Sequence, residues 1–254
     1  MSKTILVTGA TSGFGKAIAT LFAKNGYDII INGRRKERLA ELETQLKNDF
    51  KVEVLSLPFD VRKRDEVIEA ISSLQDKWTK IDVLVNNAGL AQGLSDIQDG
   101  DMDDWDTMID TNVKGLLYVT RQVSPLMIKH KSGHIINIGS VAGKEVYPKG
   151  NVYCATKHAV DALNKAMRID MLPHNIKVTA INPGLAETEF SIVRFHGDED
   201  RAAQTYKGFE ALNADDIAEA AWFVATRPAH VNINDMIITP TAQASSRDVF
   251  KTEA

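Results

Sequence analysis

From residue 5 to about residue 239, short runs rich in valine and isoleucine alternate with longer amphipathic stretches, and this rhythm constrains the fold more than any single motif. Strands are predicted at 5–7, 27–31, 52–57, 83–85, 134–138, 178–181 and 236–238. Helices are predicted at 13–24, 36–47 (with Leu39, Leu42 and Leu46 on one face), 103–130, 152–172 and 215–226. Strand–helix alternation of this kind specifies a parallel sheet with helices on both faces. Right-handed crossovers then make it an α/β, doubly wound Rossmann fold with a seven-stranded parallel sheet.

No linker or internal repeat divides the chain, so the reading is one Rossmann-type domain over residues 1–254. The rhythm breaks between Gly184 and about Asn213. An insertion of roughly 185–213 follows a strand's carboxyl end, where doubly wound folds bind ligands, and it is read as a substrate lid.

A net charge of −4 gives no global field for nucleic acid or an anionic membrane. The single cysteine, Cys154, rules out an internal disulfide and fits a reducing compartment. Met1-Ser2-Lys3 runs straight into an apolar strand, leaving no room for a signal peptide, and no stretch approaches the ~20 apolar residues of a membrane span. The expectation is a soluble cytoplasmic protein acting on a small molecule.

The first predicted strand leads into Thr8-Gly9-Ala10-Thr11-Ser12-Gly13-Phe14-Gly15, and a helix begins at once. Glycines let the backbone turn sharply and approach a pyrophosphate, while the helix N-terminus offers unpaired N–H groups. Gly9, Thr11, Ser12, Gly13, Phe14 and Gly15 are therefore candidate cofactor contacts. The second strand ends at Asn32-Gly33-Arg34-Arg35, without the acidic residue that would accept a ribose 2′-OH. Two guanidiniums there suit a 2′-phosphate, so NADP(H) is the expected cofactor, with Arg34 favoured over Arg35.

Ser140 follows the apolar strand pattern Ile135-Ile136-Asn137-Ile138, and Tyr153 and Lys157 lie four apart on one face of a predicted helix. Oxidising an alcohol requires a group that takes the hydroxyl proton as hydride leaves carbon. A free tyrosine, with a pKa of about 10, is a poor base near neutrality. A neighbouring ammonium and an oxidised nicotinamide would both favour its phenolate. Ser140 is placed to hold the substrate oxygen.

With these motifs assembled, the chain resembles the short-chain dehydrogenases/reductases over almost its whole length. The matching residues are Thr8-Gly9-x-x-x-Gly13-x-Gly15, Asp60-Val61, Asn86-Asn87-Ala88-Gly89, Asn112, Ser140, Tyr153-x-x-x-Lys157 and Pro183-Gly184 with Thr188. The resemblance implies that Asp60 and Val61 border the adenine and that Asn87, Ala88 and Gly89 line its ribose. It implies that Pro183, Gly184 and Thr188 anchor the carboxamide, and that Tyr153 and Lys157 touch the cofactor as well as the substrate. It makes Asn112 a fourth catalytic member, holding a water that relays protons through Lys157; local chemistry alone marks Asn112 only as a helix-interior residue. It further implies a homotetramer, with the long helices around Asn112 and Tyr153 at one interface.

The stretch 182–195, with Gly197-Asp198, and the stretch 228–234 are similar to the branch that oxidises L-serine, L-allo-threonine and related 3-hydroxy acids with NADP. A branch that reduces sulfoacetaldehyde has a similar lid. Arg194 is placed to clamp a substrate carboxylate, and a sulfonate would satisfy it equally. A surface salt bridge from Arg194 to Glu187, Glu189 or Asp198 is the rival role. Tyr147 and Phe190 are candidate pocket walls beside Ser140 and Tyr153. A non-catalytic NADP-binding sensor is the alternative of another class, and it has no need of all four catalytic residues. By analogy with the same branch, the tail 240–254 is expected to reach a neighbouring subunit's site.

The remaining motifs carry no metal. Six aspartates between Asp96 and Asp106 lack the glycine and final glutamate of a calcium loop. Gly133 separates His130 from His134, with no third ligand apparent.

Overall fold

The computed structural model describes residues 2–252. Its strands are β1 (Thr4–Val7), β2 (Asp28–Gly33), β3 (Val54–Pro58), β4 (Val83–Asn86), β5 (Gly133–Ile138), β6 (Ile176–Pro183) and β7 (Asp235–Ile238). Its α-helices are α1 (Gly13–Lys24), α2 (Lys36–Phe50), α3 (Arg64–Ser72), α4 (Met102–Ile109), α5 (Leu116–His130), α6 (Asn151–Met171), α7 (Glu189–Arg194), α8 (Glu199–Tyr206) and α9 (Ala214–Ala225). All seven strands are parallel, in the order β3-β2-β1-β4-β5-β6-β7. The order reverses between β1 and β4, which opens a crevice at their carboxyl ends.

Alternation along the strands sorts the core into two layers. Ile5, Val7, Ile29 and Ile31 face α1, α2 and α9, whereas Leu6, Ile30, Leu84 and Ile135 face α3, α5 and α6. Both layers are closed to solvent, which is why the central strands read as continuous apolar runs. Phe22 of α1 meets Tyr27 and Trp222 edge-on, with ring centroids 5.1 and 5.2 Å away, locking α1 against α9.

Two expectations need correction. The predicted helix 103–130 is broken: α4 and α5 are joined by a π-helical turn, Asp110–Gly115, in which each residue advances less than in an α-helix. Gly115 in this turn packs on Val61, where a Cβ would collide with that side chain. The region 185–213 is not irregular throughout but holds α7 and α8, capped by the side chains of Thr188 and Asp198. Helices of six and eight residues are too short to leave a clear periodic signal.

Candidate active site

The turn after β1 is held against the turn after β4. Thr8 Oγ1 accepts hydrogen bonds from the backbone N–H groups of Asn87 and Ala88, both at 3.0 Å, and Asn87 Nδ2 donates to Thr8 O at 2.8 Å. Gly9 has φ +65° and faces Ala88, and a Cβ on Gly15 would strike Gly9 O and Asn87 Nδ2. The glycine spacing thus lets two chain segments touch at the crevice. Ser12 caps α1 in extended conformation, and no acid occupies the helix's first turn. Those N–H groups face a cavity of about 300 Å³.

That cavity is lined by Gly9, Thr11, Ser12, Gly13 and Phe14 from the first turn and by Arg34 and Arg35 from the end of β2. Asp60, Val61, Asn87, Ala88, Gly89, Tyr153, Lys157, Thr188 and Phe190 complete the predicted residues on its walls. Gly15, Pro183 and Gly184 lie behind it: Gly15 is buried, and Gly184 N donates to Ile238 O at 2.7 Å. Burial opposes ionisation of Asp60, but hydrogen bonds from Arg62 outweigh it and hold the carboxyl below its usual range.

The absence of a carboxylate at the tip of β2 is true only of the local sequence. Glu189, from the lid helix α7, reaches across to accept from Arg38 at 3.0 and 3.1 Å and from Arg35 at 3.3 Å. Arg35 also donates to Thr11 Oγ1 at 2.8 Å and Ser12 Oγ at 3.1 Å. Arg34 stays more open, 4.0 Å from Asp60.

Tyr153 and Lys157 project from α6 into the buried floor of the crevice. Lys157 Nζ donates to Ile138 O at 3.0 Å and lies 5.9 Å from the centre of the Tyr153 ring. Burial pushes Lys157 down to about 8. Burial also raises the Tyr153 phenol above its ordinary value, helped by Tyr147; Ser140 and Arg194 act in the opposite sense and do not cancel it. The protein's own groups therefore favour the protonated phenol, and of the two charges expected to favour the phenolate, the ammonium of Lys157 does not by itself outweigh burial. Desolvation at this depth exceeds the attraction of an ammonium that is itself bonded elsewhere.

Ser140 caps a short turn, its Oγ accepting from Ala142 N at 3.0 Å and directed at Pro183 O at 3.5 Å. Asn112 sits in the π-helical turn. Its Oδ1 accepts from Leu90 N at 2.9 Å, and its Nδ2 donates to Leu90 O at 2.8 Å and Thr156 Oγ1 at 3.0 Å. Both amide donors are spent, so the side chain ties the turn after β4 to the Tyr153 turn of α6. Thr156 completes that tie by donating to Tyr153 O at 2.8 Å. No local pattern in the sequence marks the π-helical turn.

A second cavity of about 260 Å³ lies on the lid side, and Tyr153 is the residue common to the linings of both. Arg194 lines it. Its guanidinium carbon sits 5.4 Å from the Tyr147 ring centre and 5.8 Å from that of Tyr153. Its Nε donates to Gly93 O at 3.4 Å, while its buried Nη2 has no hydrogen-bond partner among the described residues. None of Glu187, Glu189 or Asp198 pairs with it: Glu189 serves Arg35 and Arg38, and Asp198 caps α8. Phe190 packs on Tyr153 with ring centres 5.7 Å apart.

Sequence reading missed three contributors. Gln92 lines the lid-side cavity, Glu189 closes over the arginines, and Gln243 accepts from Leu185 N at 2.8 Å at the lid's root. The tail, as far as Thr252, is hydrogen-bonded to its own chain. Arg247 donates to Val146 O, Lys251 to Thr205 O, and Thr252 N to Gly208 O. Expected residues 253 and 254 lie outside the described part. Among the described residues no cluster of three or more metal-ligating side chains occurs, and no helix is long and apolar enough to cross a membrane.

A crevice at the sheet's reversal point, a glycine cradle at a helix N-terminus and a buried Tyr-Lys pair define a nucleotide-dependent oxidoreductase site. The short chain dehydrogenase family matches residues 3–198, and the chain belongs to that family. It is 50% identical over 241 residues to the NADP-dependent 3-hydroxy acid dehydrogenase YdfG of Salmonella typhi, covering 94% of this chain and 96% of the relative. It is 44% identical to sulfoacetaldehyde reductase 2 of Chromohalobacter salexigens, covering 97% of each. The closed form of a serine dehydrogenase complexed with NADP+ superposes with a TM-score of 0.92 at 45% identity, over 98% of this chain and 100% of that one.

Proposed function

We propose that the protein is an NADP(H)-dependent dehydrogenase of a short 3-hydroxy acid. The observation that carries the substrate class is the buried, unpartnered Nη2 of Arg194 beside Tyr153. A desolvated guanidinium N–H without an acceptor is costly, and a substrate carboxylate would supply the acceptor. The cofactor fits the chain's own features: the cradle opened by Gly9 and Gly13, the acid-free start of α1, and Arg34 and Arg35 at the end of β2. NADP-dependence of the half-identical relative supports the same reading.

When bound, the oxidised dinucleotide supplies the hydride acceptor and its reduced form the hydride donor. The chain handles the proton. In the oxidative direction Tyr153 Oη, as a phenolate that the positive charge of the oxidised dinucleotide would favour, receives it from the substrate hydroxyl; in the reductive direction the protonated phenol returns it. Ser140 Oγ holds the reacting oxygen, and Arg194 fixes the far end of the substrate so that the carbinol carbon is presented to the crevice. Lys157 adds positive charge at the crevice floor while it remains protonated. Asn112 fixes the loop after β4 relative to α6; in the proton relay it would act beside Lys157. Tyr147, against the Arg194 guanidinium, and Phe190, against the Tyr153 ring, would wall the pocket from behind these two residues.

A sulfoacetaldehyde reductase is the second reading, because the same guanidinium accepts a sulfonate and a 44%-identical relative carries that activity in its name. A redox sensor would not require Asn112, Ser140, Tyr153 and Lys157 together. Exposed Ile109 and Leu117, flanking the Asn112 turn, support the interface expected of a homotetramer. The buried free thiol of Cys154 accords with a cytoplasmic setting, and the shared sheet accords with one domain over residues 1–254 that includes the lid of roughly 185–213. The test is NADPH fluorescence during turnover of L-serine, L-allo-threonine, 3-hydroxypropionate and isethionate with NADP or NAD. Preference for the carboxylates with NADP supports the proposal; preference for isethionate transfers it to the sulfonate reading.

A further inference from the structure

The segment after β4 is pinned at two points on either side of Gln92. Leu90 is held through both backbone groups by Asn112, and Gly93 is held through both backbone groups by Arg194: Gly93 N donates to Arg194 O at 3.0 Å, and Arg194 Nε donates to Gly93 O at 3.4 Å. Gln92 is thus fixed between the Tyr153 side of the site and the lid. Its Oε1 is buried and has no donor among the described residues, and the same is true in reverse of Arg194 Nη2, a buried donor without an acceptor. Both residues line the lid-side cavity that Tyr153 also borders.

Orphaned polar atoms inside a folded site need a partner, which an ordered water or a bound ligand can supply. A guanidinium only donates, whereas an amide oxygen only accepts. The two atoms therefore complement a ligand that carries an acceptor and a donor beyond its reacting hydroxyl. A carboxylate next to an ammonium on the carbon beside the carbinol meets that requirement. A 3-hydroxy acid with no substituent there has nothing to offer Gln92, and neither does a hydroxyalkyl sulfonate.

Resting on the reading of the site as that of a 3-hydroxy acid dehydrogenase, we propose that Gln92 is a specificity-determining residue. Its Oε1 accepts a hydrogen bond from the 2-ammonium group of a 2-amino-3-hydroxy acid while Arg194 binds the carboxylate. The lid-side cavity, about 260 Å³, then selects a zwitterion and not simply an anion. A polar site of this kind discriminates against the analogue that leaves its groups unpaired.

The experiment compares kcat/KM for L-serine with that for 3-hydroxypropionate, using NADP+, in the wild type and in Gln92→Met. Methionine keeps the length of the side chain and removes the acceptor. The wild type is expected to favour L-serine, and the ratio should fall by about 10- to 100-fold in the variant, carried mainly by KM for L-serine. Losses from imperfect folding affect both substrates and cancel in the ratio. Gln92→Asn, which withdraws the carbonyl by one methylene, should shift the ratio in the same direction. A wild type that favours 3-hydroxypropionate, or a ratio unchanged within about twofold, overturns the proposal. Loss of both activities in both variants with NADPH binding intact also overturns it, by making Gln92 a general requirement. Failure of the wild type on both acids defeats instead the reading on which the proposal rests.

Discussion

Glu189 and Arg38 are joined by both carboxylate oxygens, at 3.0 and 3.1 Å, across 151 residues of sequence. The contact ties the first turn of the lid helix to the start of α2, beside the arginines expected to receive a 2′-phosphate. Burial disfavours the Glu189 carboxylate, but Arg38 and Arg35 outweigh it and keep its carboxyl below the ordinary range.

Glu189 and a 2′-phosphate present the same charge to the same guanidiniums. Glu189→Gln should tighten NADP+ binding by about 2- to 5-fold, the size of an exposed ion pair, and leave NAD+ binding unchanged. Fluorescence titration with both dinucleotides checks this. Weaker NADP+ binding would show that Glu189 organises the arginines instead of competing for them.

Arg194→Ala removes the half-buried guanidinium of the lid-side cavity, whose Nη2 is buried without a partner among the described residues. Turnover of acidic substrates should fall by about 100-fold in kcat/KM, the worth of a charge-assisted pair, with a much smaller loss on neutral alcohols. Equal losses on both would assign Arg194 to holding Gly93 and the lid.

Tyr153 and Lys157 set the pH dependence. The Tyr153 phenol is raised by burial, so it stays protonated through neutrality, the state the reductive direction requires. Lys157 loses its proton near about 8, and above that it neither supports a phenolate nor passes on a proton. Reductive kcat/KM should be level below about 8 and fall above it, whereas oxidation should climb with pH up to about the same point and fall once the ammonium that supports the phenolate is lost. Tyr153→Phe should lose about 10²- to 10⁴-fold in both directions while retaining NADPH binding. Intact biological activity in that variant, despite lost turnover, would favour the sensor.

Gly15→Ala places a methyl group against Gly9 O and Asn87 Nδ2. Both are tied into the junction of the first and fourth strand ends, so neither yields freely. Destabilisation of about 1–3 kcal/mol is expected, together with loss of cofactor affinity. A thermal melt alongside NADP+ titration measures both, and an unchanged melt would mean that the junction can widen.

What was legible in the sequence is local in origin. Alternating Ile5, Leu6 and Val7 face opposite helical layers, α1 begins at Gly13, and the four-residue spacing places Tyr153 and Lys157 on one face. The π-helical turn around Asn112 was not legible, because its side chains keep an ordinary helical pattern and the extra residue is accommodated by contacts with Leu90, Thr156 and Val61. Glu189 reaching Arg35 and Arg38, and Gln243 seated at Leu185, depend on chain folding over long separations. Gln92 carries no motif. Its significance arises only where burial leaves an oxygen unpaired beside Arg194.

The central claim is that the Arg194 guanidinium, through its buried Nη2, selects an acidic alcohol for oxidation with NADP+. The most direct measurement is wild-type kcat/KM for 3-hydroxypropionate against 1-propanol, matched in carbon skeleton, with NADP+ as the cofactor. A preference of about 100-fold or more for the acid is predicted. Comparable values for the two alcohols would contradict it.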